Sequence, residues 1–141
     1  MGHRPVVAAV FITAAIAVLS GHASIGPAES KLGASERYTL RVPTEGDVAT
    51  VGVDLAVPDG VTVSYVQASG GWTSELRRDG TRIVGISWKV QIPPAHFGEF
   101  AFNARNPKDG TALIWKVTQR FADGSASEWI PSTKLVAATW E

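Results

Sequence analysis

The sequence contains no cysteine, and the only methionine in its 141 residues is Met1. Lack of cysteine excludes a disulfide framework, a thiolate metal site, a cysteine nucleophile and a lipoprotein anchor. An excess of charge of one sign is also missing. Thirteen basic side chains balance thirteen acidic ones, which removes the electrostatic case for binding nucleic acid or an anionic membrane surface. Histidine is scarce, at three residues, and no Gly-x-Ser-x-Gly elbow occurs, so a hydrolase triad has no support. The glycine-rich "ASGGW" at 68–72 lacks the Lys-Ser/Thr of a phosphate loop. Acidic residues are scattered, with no two marked as a pair for sugar hydrolysis. These absences point away from an enzyme.

Long apolar runs are absent after residue 19. The single one, "VVAAVFITAAIAVL" at 6–19, follows the positively charged start Met1-Gly2-His3-Arg4-Pro5 and precedes small residues. It is short for a membrane span and suits the core of a secretory leader. Two cleavage points compete. The small-x-small rule favours Gly21-His22-Ala23, with cleavage after Ala23. Cleavage after Gly21 would make His22 the first residue of the mature chain.

What is present is a period of two. In "ATVGVDLAVP" Val51, Val53, Leu55 and Val57 share one face. Tyr38, Leu40 and Val42 do so in "ERYTLRVP", and Phe100, Phe102 and Ala104 in "GEFAFNARNP". Leu113, Trp115, Val117 and Phe121 point inward from "ALIWKVTQRF". Successive side chains of a strand face opposite ways, so these segments are half-buried strands. Asp-Gly pairs at 59–60, 79–80, 109–110 and 123–124 supply the positive φ that tight turns need. Strands are expected near 22–27, 36–43, 49–57, 61–68, 81–90, 98–105, 111–121 and 127–130. Together they predict an all-β, antiparallel, immunoglobulin-like β-sandwich behind an N-terminal signal peptide. Five Trp, five Phe and two Tyr are enough to fill its core. The weakly patterned tail from 132 to 141 is expected to be loose.

A histidine at the start of a mature chain has unusual chemistry. It offers two nitrogens, the free α-amine and the ring Nδ1, which can close a chelate ring on one metal. The amine pKa, about 7.7–8.0, lets it release its proton to a metal more readily than lysine does. Nitrogen donors joined by a carboxylate oxygen suit Cu(II), which heads the divalent affinity order.

The stretch "HASIGPAESKLGASERYTLRVPTEGDVATVGVDLAVPDGVTV" resembles the start of bacterial YcnI-like domains, with a mature His-x-x-x-x-Pro strand, an "RVP-x-E" strand end and a strand ending in Pro-x-Gly-Val. Gly71-Trp72, "ISWK" at 86–89, "GEFAFNARNP" at 98–107 and "IWKVTQRFADGSASEWI" at 114–130 fit the family's later motifs. The resemblance covers residues 22 to about 131. It divides the chain into a signal peptide at 1–21, a β-sandwich domain at 22–131 and a tail at 132–141. It implies an extracytoplasmic Cu(II)-binding protein, secreted or in the periplasm or cell envelope, that handles or chaperones copper. Its partners would be the copper ion and other extracytoplasmic copper-handling proteins. The family holds the metal with a single-histidine brace, a Glu and a nearby Trp. By motif position these are His22, Glu45 and Trp129, with Glu36 and Trp115 as second choices. The alternatives are a metal-free adhesion or assembly module and a copper oxidase or monooxygenase, which would need His96 as a second histidine. Many family members carry a C-terminal membrane helix. The chain stops at Glu141 without one, which leaves a soluble form or a shortened sequence.

Overall fold

The computed structural model describes residues 22–138. The expected leader at 1–21 lies outside these residues. Twelve strands and no helix are present among the described residues: β1 (Ser24–Gly26), β2 (Glu29–Lys31), β3 (Ser35–Pro43), β4 (Thr50–Ala56), β5 (Thr62–Val66), β6 (Thr73–Asp79), β7 (Arg82–Ile92), β8 (Phe97–Arg105), β9 (Ala112–Ile114), β10 (Lys116–Phe121), β11 (Ala126–Trp129) and β12 (Ser132–Val136). They form a four-stranded sheet ordered β1-β3-β8-β5, a five-stranded sheet ordered β11-β10-β4-β7-β6 and a small sheet ordered β2-β12-β9.

The expected alternation builds the core except at Val51 and Phe121, which are only half-buried where β-bulges shift the register. Tyr38, Leu40 and Val42 from β3 and Phe100, Phe102 and Ala104 from β8 face Val53 and Leu55 of β4, Ile86 and Trp88 of β7, and Val117 of β10, all of them buried. Tyr38, Phe102 and Trp115 form an aromatic cluster with ring centroids 4.9–5.7 Å apart. The four Asp-Gly turns hold Gly60, Gly80, Gly110 and Gly124 at φ between +63° and +108°, as the turn chemistry requires.

Besides the short β2, three segments differ from the sequence expectation. First, the segment at 111–121 is not one strand. It changes sheets at Trp115, whose backbone N–H donates to the Pro131 carbonyl at 2.9 Å. Second, β6 is exposed along its whole length. It is a charged edge strand, and with neither face buried it carries no apolar alternation. Third, the tail expected to be loose forms β12 over Ser132–Val136. This strand pairs antiparallel with β9 and parallel with β2. Its anchor is Thr133, fully buried, which accepts a hydrogen bond from Trp115 Nε1 at 3.1 Å and donates to the Pro27 carbonyl at 3.2 Å. A hydroxyl that closes the core by long-range bonds leaves no apolar signature in the local sequence.

At one end of the sandwich a polar cluster ties β2 to β3. The Tyr38 hydroxyl donates to Asn106 Oδ1, while Asn106 Nδ2 donates to Ser30 Oγ at 2.7 Å and to the Lys31 carbonyl at 2.8 Å. Ser30 Oγ in turn donates to Glu36 at 2.7 Å. Burial raises the Tyr38 pKa above the ordinary 10.0; the negative charge of Glu36 adds to this, while the hydrogen bonds to Ser30 and Asn106 oppose it.

Two outcomes follow. The unfolded chain loses the Tyr38 proton before the folded one does, so this group's contribution to stability is complete below about pH 10 and is lost as pH rises beyond it. Urea unfolding at a series of alkaline pH values should show that slope, and Tyr38→Phe should reduce it. Trp115→Ala removes a fully buried ring together with its bond to Thr133, and should cost about 3–5 kcal/mol by the same measurement.

Candidate metal centre

β1 enters along the edge of the four-stranded sheet. Ala23 and Ile25 are buried at 4% and 7% exposure, whereas His22 is exposed. The first described residue therefore stands at the sandwich edge with the next one already packed. Ser24 pairs with Arg41 and Ile25 with Leu40. Carried two residues back, that register sets His22 opposite Pro43, the last residue of β3. Glu45 follows two residues later, exposed, in the loop that leaves β3.

Trp129 arrives from the other sheet. It ends β11 and pairs with Val117 of β10. Its ring lies 4.8 Å from the His22 ring between centroids, with the planes 31° apart. Thus His22 and Trp129, more than a hundred residues apart in sequence, meet where the edges of the two large sheets approach.

Behind this pair lies a buried amide. Trp129 Nε1 donates to Gln119 Oε1 at 2.9 Å. Gln119, at 1% exposure, donates through Nε2 to the Pro43 carbonyl at 2.9 Å and to Thr50 Oγ1 at 2.8 Å. Thr50 Oγ1 and Thr44 Oγ1 are 2.7 Å apart, and Thr44 Oγ1 donates to the Ile92 carbonyl at 2.9 Å. Gln119 and both threonines carry no apolar signal in the sequence. Gln119 takes an inward position in β10, Thr44 follows the end of β3, and Thr50 turns inward at a β-bulge at the start of β4, where the alternation places Val51. The signal that could have found Gln119 is a polar side chain at the inward position between Val117 and Phe121.

The second choices for the site are separated from it. Glu36 lies near the opposite end of β3, seven residues from Pro43 and so roughly 23 Å away along an extended strand, and it accepts a bond from Ser30. Trp115 is fully buried in the aromatic cluster and its N–H is committed to Thr133. His96 is exposed, with Nδ1 2.9 Å from the Pro94 carbonyl. Its backbone is tied to the residue before Glu45: Thr44 N donates to the His96 carbonyl at 2.9 Å, and Ala95 N donates to the Thr44 carbonyl at 3.1 Å.

The donor set decides what could be held here. Among the described residues no group of three or more His, Cys, Asp or Glu side chains is placed to bind a metal. The donors expected from motif position are the His22 imidazole and the Glu45 carboxylate, with the α-amine of residue 22 where the chain begins there. That set suits a tetragonal cation with nitrogen and oxygen ligands.

A family model described as a domain of unknown function, DUF1775, matches residues 22–139. The copper-binding protein CutI of Bacillus subtilis (strain 168) is 33% identical over 113 residues, which cover 78% of this chain and 55% of that protein. The chain thus spans about half the length of this curated relative. Among solved structures, an uncharacterized protein of Nocardia farcinica with an immunoglobulin-like fold superposes with a TM-score of 0.74 at 20% identity, over 84% of this chain and all of that one. A cohesin module of a family 33 glycoside hydrolase from Clostridium perfringens does so with a TM-score of 0.57 at 10% identity, again over 84% of this chain and all of that one. These two likenesses concern the fold, and they bear out the immunoglobulin-like sandwich. With a family model covering most of its length and a curated relative at this identity, the chain belongs to the DUF1775 family, to which its YcnI-like motifs had pointed.

Proposed function

We propose that this protein binds Cu(II) outside the cytoplasm and handles or delivers it, without catalysing a reaction on it. Residues 1–21 act as the secretory leader, and the mature chain begins at His22. The α-amine and imidazole of His22 chelate the ion, Glu45 supplies a carboxylate oxygen, and the Trp129 indole lies against the imidazole. Copper here is cargo, taken up and passed on, with other extracytoplasmic copper-handling proteins as partners.

The contact between the His22 and Trp129 rings carries this reading. Two residues singled out by motif position, on different sheets, meet at one edge. The family match also begins at His22, and a relative at 33% identity is named a copper-binding protein. The local chemistry supports it as well. One histidine makes a poor metal site by itself, but a terminal one adds a second nitrogen in the same chelate ring.

The test compares chains that differ only before His22. Protein beginning at His22, verified by intact mass, is titrated with Cu(II) against a competing chelator. A version with one extra residue in front keeps the imidazole and Glu45 but turns the amine into an amide. Its affinity should fall by about 10²-fold or more, at about 1.4 kcal/mol per decade. Glu45→Gln should also weaken binding, and His96→Ala should leave it unchanged. Binding should decline as pH falls, because the ligands must give up protons to coordinate. Equal affinity of the extended and authentic chains would overturn the brace.

A further inference from the structure

We infer that Gln119 is the positioning residue of this site: one buried amide sets the indole against His22 and fixes the strand end that leads to Glu45. The inference rests on the copper reading for its effect on metal binding, and on the hydrogen-bond geometry for the positioning itself.

The direction of every bond around Gln119 is determined. The Pro43 and Ile92 carbonyls can only accept, and the Trp129 indole N–H can only donate. Thr44 Oγ1 spends its single proton on Ile92 O, so Thr50 Oγ1 must donate to Thr44, and Gln119 Nε2 must donate to Thr50. Both protons of the Gln119 amide nitrogen are then used, on Pro43 O and Thr50 Oγ1, and its oxygen accepts from Trp129. A flipped amide would set oxygen against the Pro43 carbonyl and N–H against the indole N–H. One orientation survives, and it holds three elements at once: β11 through Trp129, the end of β3 through Pro43, and the start of β4 through Thr50. Thr44, the residue before Glu45, is the next link in the same chain of bonds.

His22 and Glu45 are exposed; Glu45 lies in a loop, and in the proposed function His22 is the chain end. Their relative placement must come from what lies beneath them. Outer partners that orient a ligand typically change metal affinity 10–100-fold when removed, and Gln119 stands in that position toward both the Trp129 and the Glu45 sides of the site.

Gln119→Met keeps the volume and removes every bond. Gln119→Glu gives a second view. When protonated, its O–H can serve the Pro43 carbonyl and its C=O the indole. When ionised, it has no donor for Pro43. Two readouts are taken on chains that begin at His22. In the metal-free protein, the Trp129 indole N–H resonance, assigned with Trp129→Phe, is followed for chemical shift and protection from solvent exchange. In the copper-loaded protein, the affinity and the Cu(II) paramagnetic resonance spectrum are measured.

In Gln119→Met the Trp129 resonance should shift and lose protection while the Trp88 and Trp115 indoles stay as in the parent. Affinity should fall about tenfold and the copper spectrum should change. In Gln119→Glu the metal-free Trp129 signal should approach that of the parent at acid pH and depart from it as the carboxyl ionises, which serves as the test should Gln119→Met not fold. An unmoved Trp129 resonance in Gln119→Met, or a pH-independent one in Gln119→Glu, would overturn the positioning role. A moved resonance with unchanged affinity and copper spectrum would overturn its bearing on the metal. Failure of the parent chain to bind Cu(II) would instead sink the copper reading, and the metal-free signal would still decide whether Gln119 holds Trp129.

Discussion

A carboxamide buried between two sheets must find partners for both of its polar atoms, and Gln119 finds them in the neighbouring strand β11 and in two elements about seventy residues away. Leaving one of those partners unsatisfied costs about 1–3 kcal/mol, so the three elements are held to a common geometry. This constraint sets the edge of the sandwich. Trp129 cannot turn its N–H to solvent without stranding Gln119 Oε1, and the end of β3 cannot drift from β10 without stranding the amide nitrogen. Among the described residues no buried side-chain nitrogen or oxygen lacks a partner. The polar groups are thus part of how the core is specified, and each works against one or two fixed counterparts.

The two ends of the sandwich use polarity differently. At one end Asn106 gathers Tyr38, Ser30 and the backbone of β2, and the Glu36 carboxylate caps the group. Those contacts are with neighbouring strands and leave the acid occupied. At the other end Gln119, Thr50 and Thr44 form a buried chain of hydrogen bonds, and His22 and Glu45 beside it are exposed. Glu36 and Glu45, nine residues apart on one stretch of chain, thus have different surroundings: the first accepts a hydrogen bond from Ser30, and the second is exposed in the loop after β3.

Much of this fold could be read from the sequence. Strands with one buried face announced themselves by alternation, and the Asp-Gly turns lie where positive φ is observed. β6, with both faces exposed, and β2 and β12, three and five residues long, could not be read that way. Their pairing depends on chain segments about a hundred residues apart. For the site, motif position led to His22 and Trp129, and the fold brings their rings together. The choice between Trp129 and Trp115 was open in the sequence because both end or begin motif segments. Burial separates them, since Trp115 is sealed in the aromatic cluster and Trp129 is only partly covered. Gln119 was illegible for a different reason. A polar residue in an apolar alternation looks like a break in the pattern until its partners are known.

The proposed cleavage before His22 would make its surroundings matter more. A side chain within a strand is held from both directions along the backbone, but a first residue would be held from one. The fold compensates immediately after it: Ala23 and Ile25 are packed, and β1 pairs with β3 from Ser24 onward. On the other side, the indole gives the His22 ring a flat surface 4.8 Å away, and that surface is itself held by Gln119. If the chain begins at His22, packing of the next residues would offset part of the entropy of ordering that end, about 1–2 kcal/mol for each backbone residue fixed. In the proposed function, a brace of one residue would rely on this support where other sites rely on a cluster of histidines.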